Sequence, residues 1–274
     1  MEEITFIKPR FTLHHGWGFS SNIWNGWMQH LEPEFEVDNL DRGYFGLFTA
    51  GEDDMQLEMH RREMSFHRFG EKSKTKCMNI VVAHSFGLHL LSDALLRDTD
   101  MLVCIGSFMR FAPTDDRLAR RTLQRMQSRF HETPRDVLAD FHQKCFDTPG
   151  LRLLSPALMK DEVDWNIDLL AQDLKQLEAS KLNDSSLVRI PHILLLHGLN
   201  DIIVPPSRAY ELQRYLPHSR LILHNSANHA LPFLQMDWCL QQIMCYVDEI
   251  ESLQSLQSPA RSRTDRVMVG ALEI

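Results

Sequence analysis

Ile80-Val81-Val82-Ala83-His84-Ser85-Phe86-Gly87-Leu88-His89-Leu90-Leu91 is the stretch whose reading decides the fold. It opens on three β-branched residues, turns at Ala83 to Gly87, and leaves as an apolar segment that predicts a helix over Leu88 to Arg97. Strand, sharp turn and helix place Ser85 at the apex. A tight reversal of this kind needs small residues on either side, because the flanking backbone comes against neighbouring strands, and Ala83 and Gly87 supply them. In such a turn the hydroxyl projects from the sheet edge, and the amide of Phe86 stands at a helix N-terminus where it can donate to a developing oxyanion. The same five residues also describe a serine that merely caps a βα turn. Companions elsewhere in the chain must decide.

Upstream, the segment ending at His14 reads as one or two short strands broken at Pro9, followed by His14-His15-Gly16-Trp17-Gly18-Phe19. A Gly-flanked turn at a strand end leaves backbone amides exposed, and the Trp17 N–H is the candidate donor there. Phe35 to Leu40 predicts another strand, closed by Asp41-Arg42-Gly43-Tyr44-Phe45-Gly46. Thr49 to Gly70 is polar and helix-compatible, and Glu71 to Lys76 is a charged connector. Met101 to Ile105 predicts a buried strand. Alternating strands and helices predict an α/β fold, a mostly parallel central sheet flanked by helices, with ligands off the carboxyl ends of its strands.

The pattern changes over residues 108–189. No convincing strand appears, helical stretches run over Arg117 to Phe130, Pro134 to Cys145, Ser155 to Met159 and Ile167 to Glu178, and Pro113, Pro134, Pro149 and Gly150 break them. This predicts a helical cap inserted between two parts of the core, residues 1–107 and 190–253. Strand character returns at His192 to His197, ahead of Gly198-Leu199-Asn200-Asp201. Helix Ser207 to Tyr215, strand Arg220 to His224, the loop Asn225 to Ala230 and a long helix Phe233 to Leu253 follow. The polar residues 254–274 are read as a disordered tail.

A serine hydroxyl needs a base within reach, and that base needs an acid to fix its tautomer and stabilise the imidazolium. In an α/β sheet both arrive from later strand ends, in the order Ser, Asp, His. Asp201 follows the strand His192 to His197, and His229 follows the strand Arg220 to His224. The interval from Ser85 to Asp201 leaves room for the cap. Competitors fit less well: His84 adjoins the apex and should point elsewhere, His89 lies a turn down the helix, and His14, His197 and His224 sit in or beside apolar strands. Asp41 ends a strand on the wrong side of the serine.

Composition narrows the class. With 43% hydrophobic and 24% charged residues among 274, the chain is globular with a sizeable core. No window approaches ~18 consecutive apolar residues, and Met1 to Arg10 lacks a signal's apolar stretch, so a cytoplasmic monomer away from membranes is expected. Cys77, Cys104, Cys145, Cys239 and Cys245 read as mostly buried thiols. Fourteen histidines show no metal-ligand spacing, and neither metal nor cofactor is expected. The net charge of −8 argues against nucleic acid. Between Arg110 and Arg135, however, seven arginines (110, 117, 120, 121, 125, 129 and 135) face three carboxylates. That run is either a solvated helix face or a dock for an acidic partner.

His15-Gly16-Trp17-Gly18, Asp41 to Gly46, Ala83 to Gly87, His197 to Asp201 with Val204-Pro205, and Asn228-His229-Ala230 together resemble the successive motifs of α/β-hydrolases. Within that superfamily the chain is most similar to the carboxylesterases that demethylate pimeloyl-[acyl-carrier protein] methyl ester in bacterial biotin synthesis. Ala83 departs from the usual glycine, and the cap matches only loosely. The resemblance implies Ser85 as nucleophile, His229 as base, Asp201 as its partner, and the Trp17 and Phe86 amides as oxyanion donors. It further implies an acidic acyl-carrier protein docked on the cap arginines, with Arg135 foremost. Phe19, Trp24, Phe108, Met109 and Phe111 are expected to line the acyl channel. Two alternatives stay open: a generic small-ester or thioester hydrolase, and a non-catalytic receptor of the same fold.

Overall fold

The computed structural model describes residues 9–46, 77–146, 164–182 and 186–257. The sequence-read segments Thr49 to Gly70, Glu71 to Lys76 and Ser155 to Met159 lie outside them; of the tail read over 254–274, residues 254–257 continue the last helix and the rest lies outside. Six strands, β1 (Arg10–His14), β2 (Glu36–Leu40), β3 (Asn79–His84), β4 (Met101–Ile105), β5 (His192–Gly198) and β6 (Arg220–His224), form one sheet. Its order is β2-β1-β3-β4-β5-β6, with every neighbour parallel. β3 and β4 are buried almost throughout, which is why they read as continuous apolar runs instead of alternating ones.

The chain leaves β1 toward one edge of the sheet and, after returning to β3, proceeds toward the other. The connections following β1 and β3 therefore diverge, and a crevice opens at their carboxyl ends. Gly16 and Ser85 face each other there: a β-carbon built on Gly16 would lie 3.0 Å from the Ser85 Cβ.

The helices are α1 (Asn25–Leu31), α2 (Asp93–Arg97), α3 (Arg117–Glu132), α4 (Pro134–Phe146), α5 (Ile167–Ala179), α6 (Pro206–Tyr215), α7 (Leu231–Leu234) and α8 (Met236–Gln257). Two differ from the sequence reading. The expected helix Leu88 to Arg97 is a 3-10 turn over Ser85–Leu90, an extended Leu91, and then α2. The Ser92 side chain accepts from the Leu95 amide, so it caps a new helix instead of continuing the old one. The expected helix Phe233 to Leu253 is broken at Gln235 into α7 and α8.

Helices α3, α4 and α5 lie between β4 and β5, with α3 packed on both others. Side-chain caps start two of them: Asp116 accepts from the Ala119 amide, and Asn166 from the Leu169 amide. Compactness divides the chain into Met1–Met236, which holds the sheet and these three helices, and Asp237–Ile274, which holds most of α8. None of the five cysteines forms a disulfide; Cys104, Cys145 and Cys239 are buried, Cys77 is half-buried, and Cys245 is exposed. No described helix is long and apolar enough to cross a membrane.

Gly198 ends β5 where the loop before α7 passes over it, and a β-carbon there would lie 2.2 Å from the Ala227 carbonyl oxygen and 2.6 Å from its carbon. Both atoms are backbone and cannot rotate away. Gly198→Ala is expected to cost at least about 1–3 kcal/mol and to lower the thermal midpoint, read by differential scanning calorimetry.

Candidate active site

Ser85 has φ +54, and it is the only non-glycine residue with positive φ among the described residues. An L-residue occupies that region only when its surroundings over-determine it. Here His84, Phe86, Gly87 and Leu88 are all buried. A β-carbon on Gly87 would stand 2.6 Å from the His15 carbonyl oxygen, so the turn lies directly against the loop that follows β1.

Three strand ends converge on this turn. His229 Nε2 lies 3.0 Å from Ser85 Oγ, and His229 Nδ1 lies 2.7 Å from Asp201 Oδ2. The other carboxylate oxygen accepts from the Ile203 and Val204 amides, which fixes its plane. Ser85, Asp201 and His229 are buried to within 8, 3 and 1% exposure. A carboxylate oxygen can only accept, so His229 carries its proton on Nδ1 and turns a bare Nε2 to the hydroxyl.

His84 does not point away from the site, contrary to the sequence reading. Its ring packs 4.8 Å from that of His229, and its Nε2–H donates to the His229 carbonyl, holding the loop that carries the base. Burial, then the neighbouring His229, push the His84 pKa well below its usual range, so a second positive charge does not arise there. Burial likewise pushes His14 and His142 down to about 4. His197 is also lowered by burial, although Asp201 opposes the shift.

Trp17 and Phe86 border one cavity with Ser85, of about 310 Å³. Its wall is apolar, from Phe108 and Phe111 after β4, Leu123 and Met126 of α3, Val137 and Phe141 of α4, and Leu174 and Leu177 of α5. Its exposed lining residues are Thr122, Arg125, Arg129, Asp140, Lys144 and the apolar Ile202, so the rim is mostly polar. Arg129 Nη1 and Asp140 Oδ2 lie 3.0 Å apart across it.

Of the five residues expected to line an acyl channel, Phe108 and Phe111 border this cavity. Phe19 packs instead with Cys145, Phe146, His84 and Phe233. Trp24 is fully buried against Trp27, and Met109 packs on the core beneath the sheet end. Aromatic and sulfur side chains near a strand end are equally good core, and only tertiary packing separates the two uses. The sequence reading missed the α3, α4 and α5 contributions. Their signal was present in the helical spacing of Leu123, Met126 and Phe130, of Val137 and Phe141, and of Leu170, Leu174 and Leu177.

The arginines differ in exposure and packing. Arg117, Arg121, Arg125 and Arg129 recur every fourth residue and are exposed, forming a stripe on α3. Arg110 and Arg120 are half-buried, and the Arg135 guanidinium stacks 4.7 Å over the Trp165 ring. Among the described residues, no group of three or more His, Cys, Asp or Glu is arranged to hold a metal ion.

Solved structures share this architecture. An esterase from Exiguobacterium antarcticum superposes with a TM-score of 0.66 at 15% identity, over 88% of this chain and 92% of that one. An enol-lactonase from Burkholderia xenovorans gives 0.60 at 14% identity, over 90% and 94%. The chain has the α/β-hydrolase fold. No family model matches the sequence. Among curated proteins, the chain is similar to a pimeloyl-[acyl-carrier protein] methyl ester esterase from Vibrio atlanticus, 27% identical over 82% of this chain and 89% of that protein. The Nitrosomonas europaea protein of the same name is 23% identical, over 85% and 92%. These are the superfamily and the relatives that the motifs resemble.

The buried histidines make the stability of this fold depend on pH. His14 and His142 have folded pKa values of about 4, below the 6.5 of an unfolded histidine. Between those values the unfolded chain binds more protons, so stability is complete above pH 6.5 and falls as pH drops toward 4. At pH 5 each of the two groups costs about 2 kcal/mol. The thermal midpoint should hold steady near neutrality and decline continuously from pH 6.5 to 4; a flat profile over that range would contradict it.

Proposed function

We propose that the protein is a serine carboxylesterase that hydrolyses the methyl ester of a pimeloyl chain carried on acyl-carrier protein. The observation that carries this reading is the hydrogen-bonded line from Asp201 through His229 to Ser85, opening on an apolar cavity with a cationic rim. The names of the similar Vibrio and Nitrosomonas proteins support an ester-hydrolysing role and suggest the substrate.

In this reading Ser85 Oγ attacks the ester carbonyl carbon while its proton passes to His229 Nε2. Asp201 stabilises the imidazolium and keeps Nδ1 protonated. The oxyanion accepts from the Trp17 and Phe86 amides, each donor contributing about 3 kcal/mol to the transition state. Collapse releases methanol, which takes the proton back from His229. Water then attacks the acyl-enzyme with His229 as base, and the free carboxylate leaves. A carbonyl carbon with a small alkoxide leaving group suits this site, because no polar group beyond the triad is needed near the serine.

The thioester to the carrier is the more reactive acyl bond, so the enzyme must keep it out of reach of Ser85. Residues 108–189 serve as the cap that does this. The apolar wall from α3, α4 and α5 receives the methylene chain, and the rim leaves the thioester outside. The exposed stripe of Arg117, Arg121, Arg125 and Arg129 is the dock for the acidic carrier, with Arg110, Arg120 and Arg135 in supporting positions.

A fluorophosphonate probe should label Ser85 in the folded protein, and Ser85→Ala should lose at least about 10⁴-fold in kcat. Absence of labelling would favour a non-catalytic receptor. The double variant Arg117→Glu/Arg121→Glu should lower kcat/KM on the carrier-linked methyl ester by about 10-fold or more, with turnover of a short p-nitrophenyl ester within about twofold of the parent. Equal behaviour on both substrates would favour a generic small-ester hydrolase.

A further inference from the structure

Two adjacent imidazoles precede the proposed oxyanion donor, and each holds the next carbonyl. His14 Nδ1 lies 2.9 Å from the His15 carbonyl oxygen, and His15 Nδ1 lies 2.9 Å from the Gly16 carbonyl oxygen. The second contact bears on chemistry, because the Gly16 carbonyl and the Trp17 N–H belong to one planar peptide unit. Fixing one end of that unit aims the other.

The tautomer of His15 follows from its partners. The Arg42 amide donates to His15 Nε2 at 2.9 Å, and a backbone N–H can only donate. Asp41 Oδ1 stands 3.7 Å from the same nitrogen, beyond hydrogen-bonding reach, so Nε2 is bare and the proton sits on Nδ1, where it is given to the Gly16 oxygen. That oxygen also accepts from the Phe19 amide at 3.4 Å, closing a turn with Gly18 at φ +73. With its oxygen held on that side, the trans peptide directs the Trp17 N–H the opposite way. The Trp17 amide donates to no other described residue. Hydrogen bonds to a peptide carbonyl also polarise its N–H and strengthen it as a donor.

The anchor of His15 lies on α5. Arg42 Nε and Nη2 grip Asp173 at 2.7 and 2.9 Å, and the Tyr44 hydroxyl donates to the same carboxylate at 2.6 Å. Asp173 is fully buried, and burial followed by this carboxylate holds the Tyr44 phenol protonated. One turn earlier on α5, the Leu170 carbonyl accepts from Trp17 Nε1 at 2.8 Å. Helix α5 thus holds both the side chain of Trp17 and, through Asp173, Arg42 and His15, the peptide that carries its amide.

We propose that His15 is a positioning residue that orients the Gly16–Trp17 peptide as an oxyanion donor, with Asp173 of α5 as its anchor. This rests on the esterase reading given above. His15 touches no reacting atom; it acts through the peptide.

Two replacements separate its contacts. Asparagine keeps a donor near the Nδ1 position but offers the Arg42 amide nothing, whereas glutamine keeps an acceptor near Nε2 and gives the Gly16 oxygen no donor. In the full chain, His15→Gln should retain the parent thermal midpoint and KM for a short p-nitrophenyl ester while kcat falls on the order of 100-fold. His15→Asn should recover most of that kcat, to within about tenfold of the parent. Nitrogen-15 NMR of the unmodified protein supplies a readout that needs no variant to fold: His15 should show the Nδ1–H tautomer. An Nε2–H tautomer, or a folded His15→Gln variant with parent kcat, overturns the proposal while leaving an active esterase. A parent protein that neither turns over ester nor labels at Ser85 overturns the esterase reading and the positioning role with it.

Discussion

Two glycines hold the carboxyl ends of β1 and β3 in backbone contact. A β-carbon on Gly87 would meet the His15 carbonyl at 2.6 Å, and one on Gly16 would meet Ser85 at 3.0 Å. Adjacent parallel strands run only about 4.8 Å apart, and at that spacing a loop and a sharp turn can share space only without side chains between them. The approach brings Ser85 and Trp17 to the border of one cavity. It also explains why Ser85 tolerates φ +54: the buried residues around it leave no room to relax, and the strain is borne by the packing of the sheet end.

Everything above that contact is organised by polar pins set in apolar surroundings. Trp17 donates to the Leu170 carbonyl, Arg42 and Tyr44 converge on Asp173, His142 bonds the Gly18 carbonyl at 2.7 Å, and Arg208 bonds Asp116 at the start of α3. The first three tie α5 and α4 to the loops at the sheet end, and the last ties the start of α3 to α6. Satisfied buried polar groups add little net stability but penalise any other arrangement, because a shift of the helix would strand them without partners. The apolar wall contributed by α3, α4 and α5 is therefore held in one position over the serine, and a cavity persists where hydrophobic collapse alone would close it.

Much of this was legible in residue order. Alternation of apolar runs with helical spacing, Ala83 to Gly87 around Ser85, and strand ends before Asp201 and His229 were enough for a parallel sheet and for the three residues that meet at hydrogen-bonding distance. The lining of the cavity was less legible. Phe108 and Phe111 border the cavity, whereas Phe19, Trp24 and Met109 pack in the core. Burial of a large side chain gives the same sequence signal whether its neighbour is another side chain or an empty channel. The run of arginines was visible, but its division into an exposed stripe on α3, half-buried Arg110 and Arg120, and Arg135 stacked on Trp165 depends on helix rotation and on a partner far along the chain.

By itself the sequence determined the strand and helix periods, the turn that can hold a serine at its apex, and the order in which acid and base return to it. These are local properties, fixed by side-chain alternation, by β-branching and by where glycine relieves a contact. Tertiary structure alone decided that His84 supports His229 and that Asp173 reaches Arg42. Those outcomes hinge on hydrogen bonds between residues 131 or 145 positions apart. No local pattern encodes such a pairing, because its partners meet only after the sheet and the inserted helices have packed.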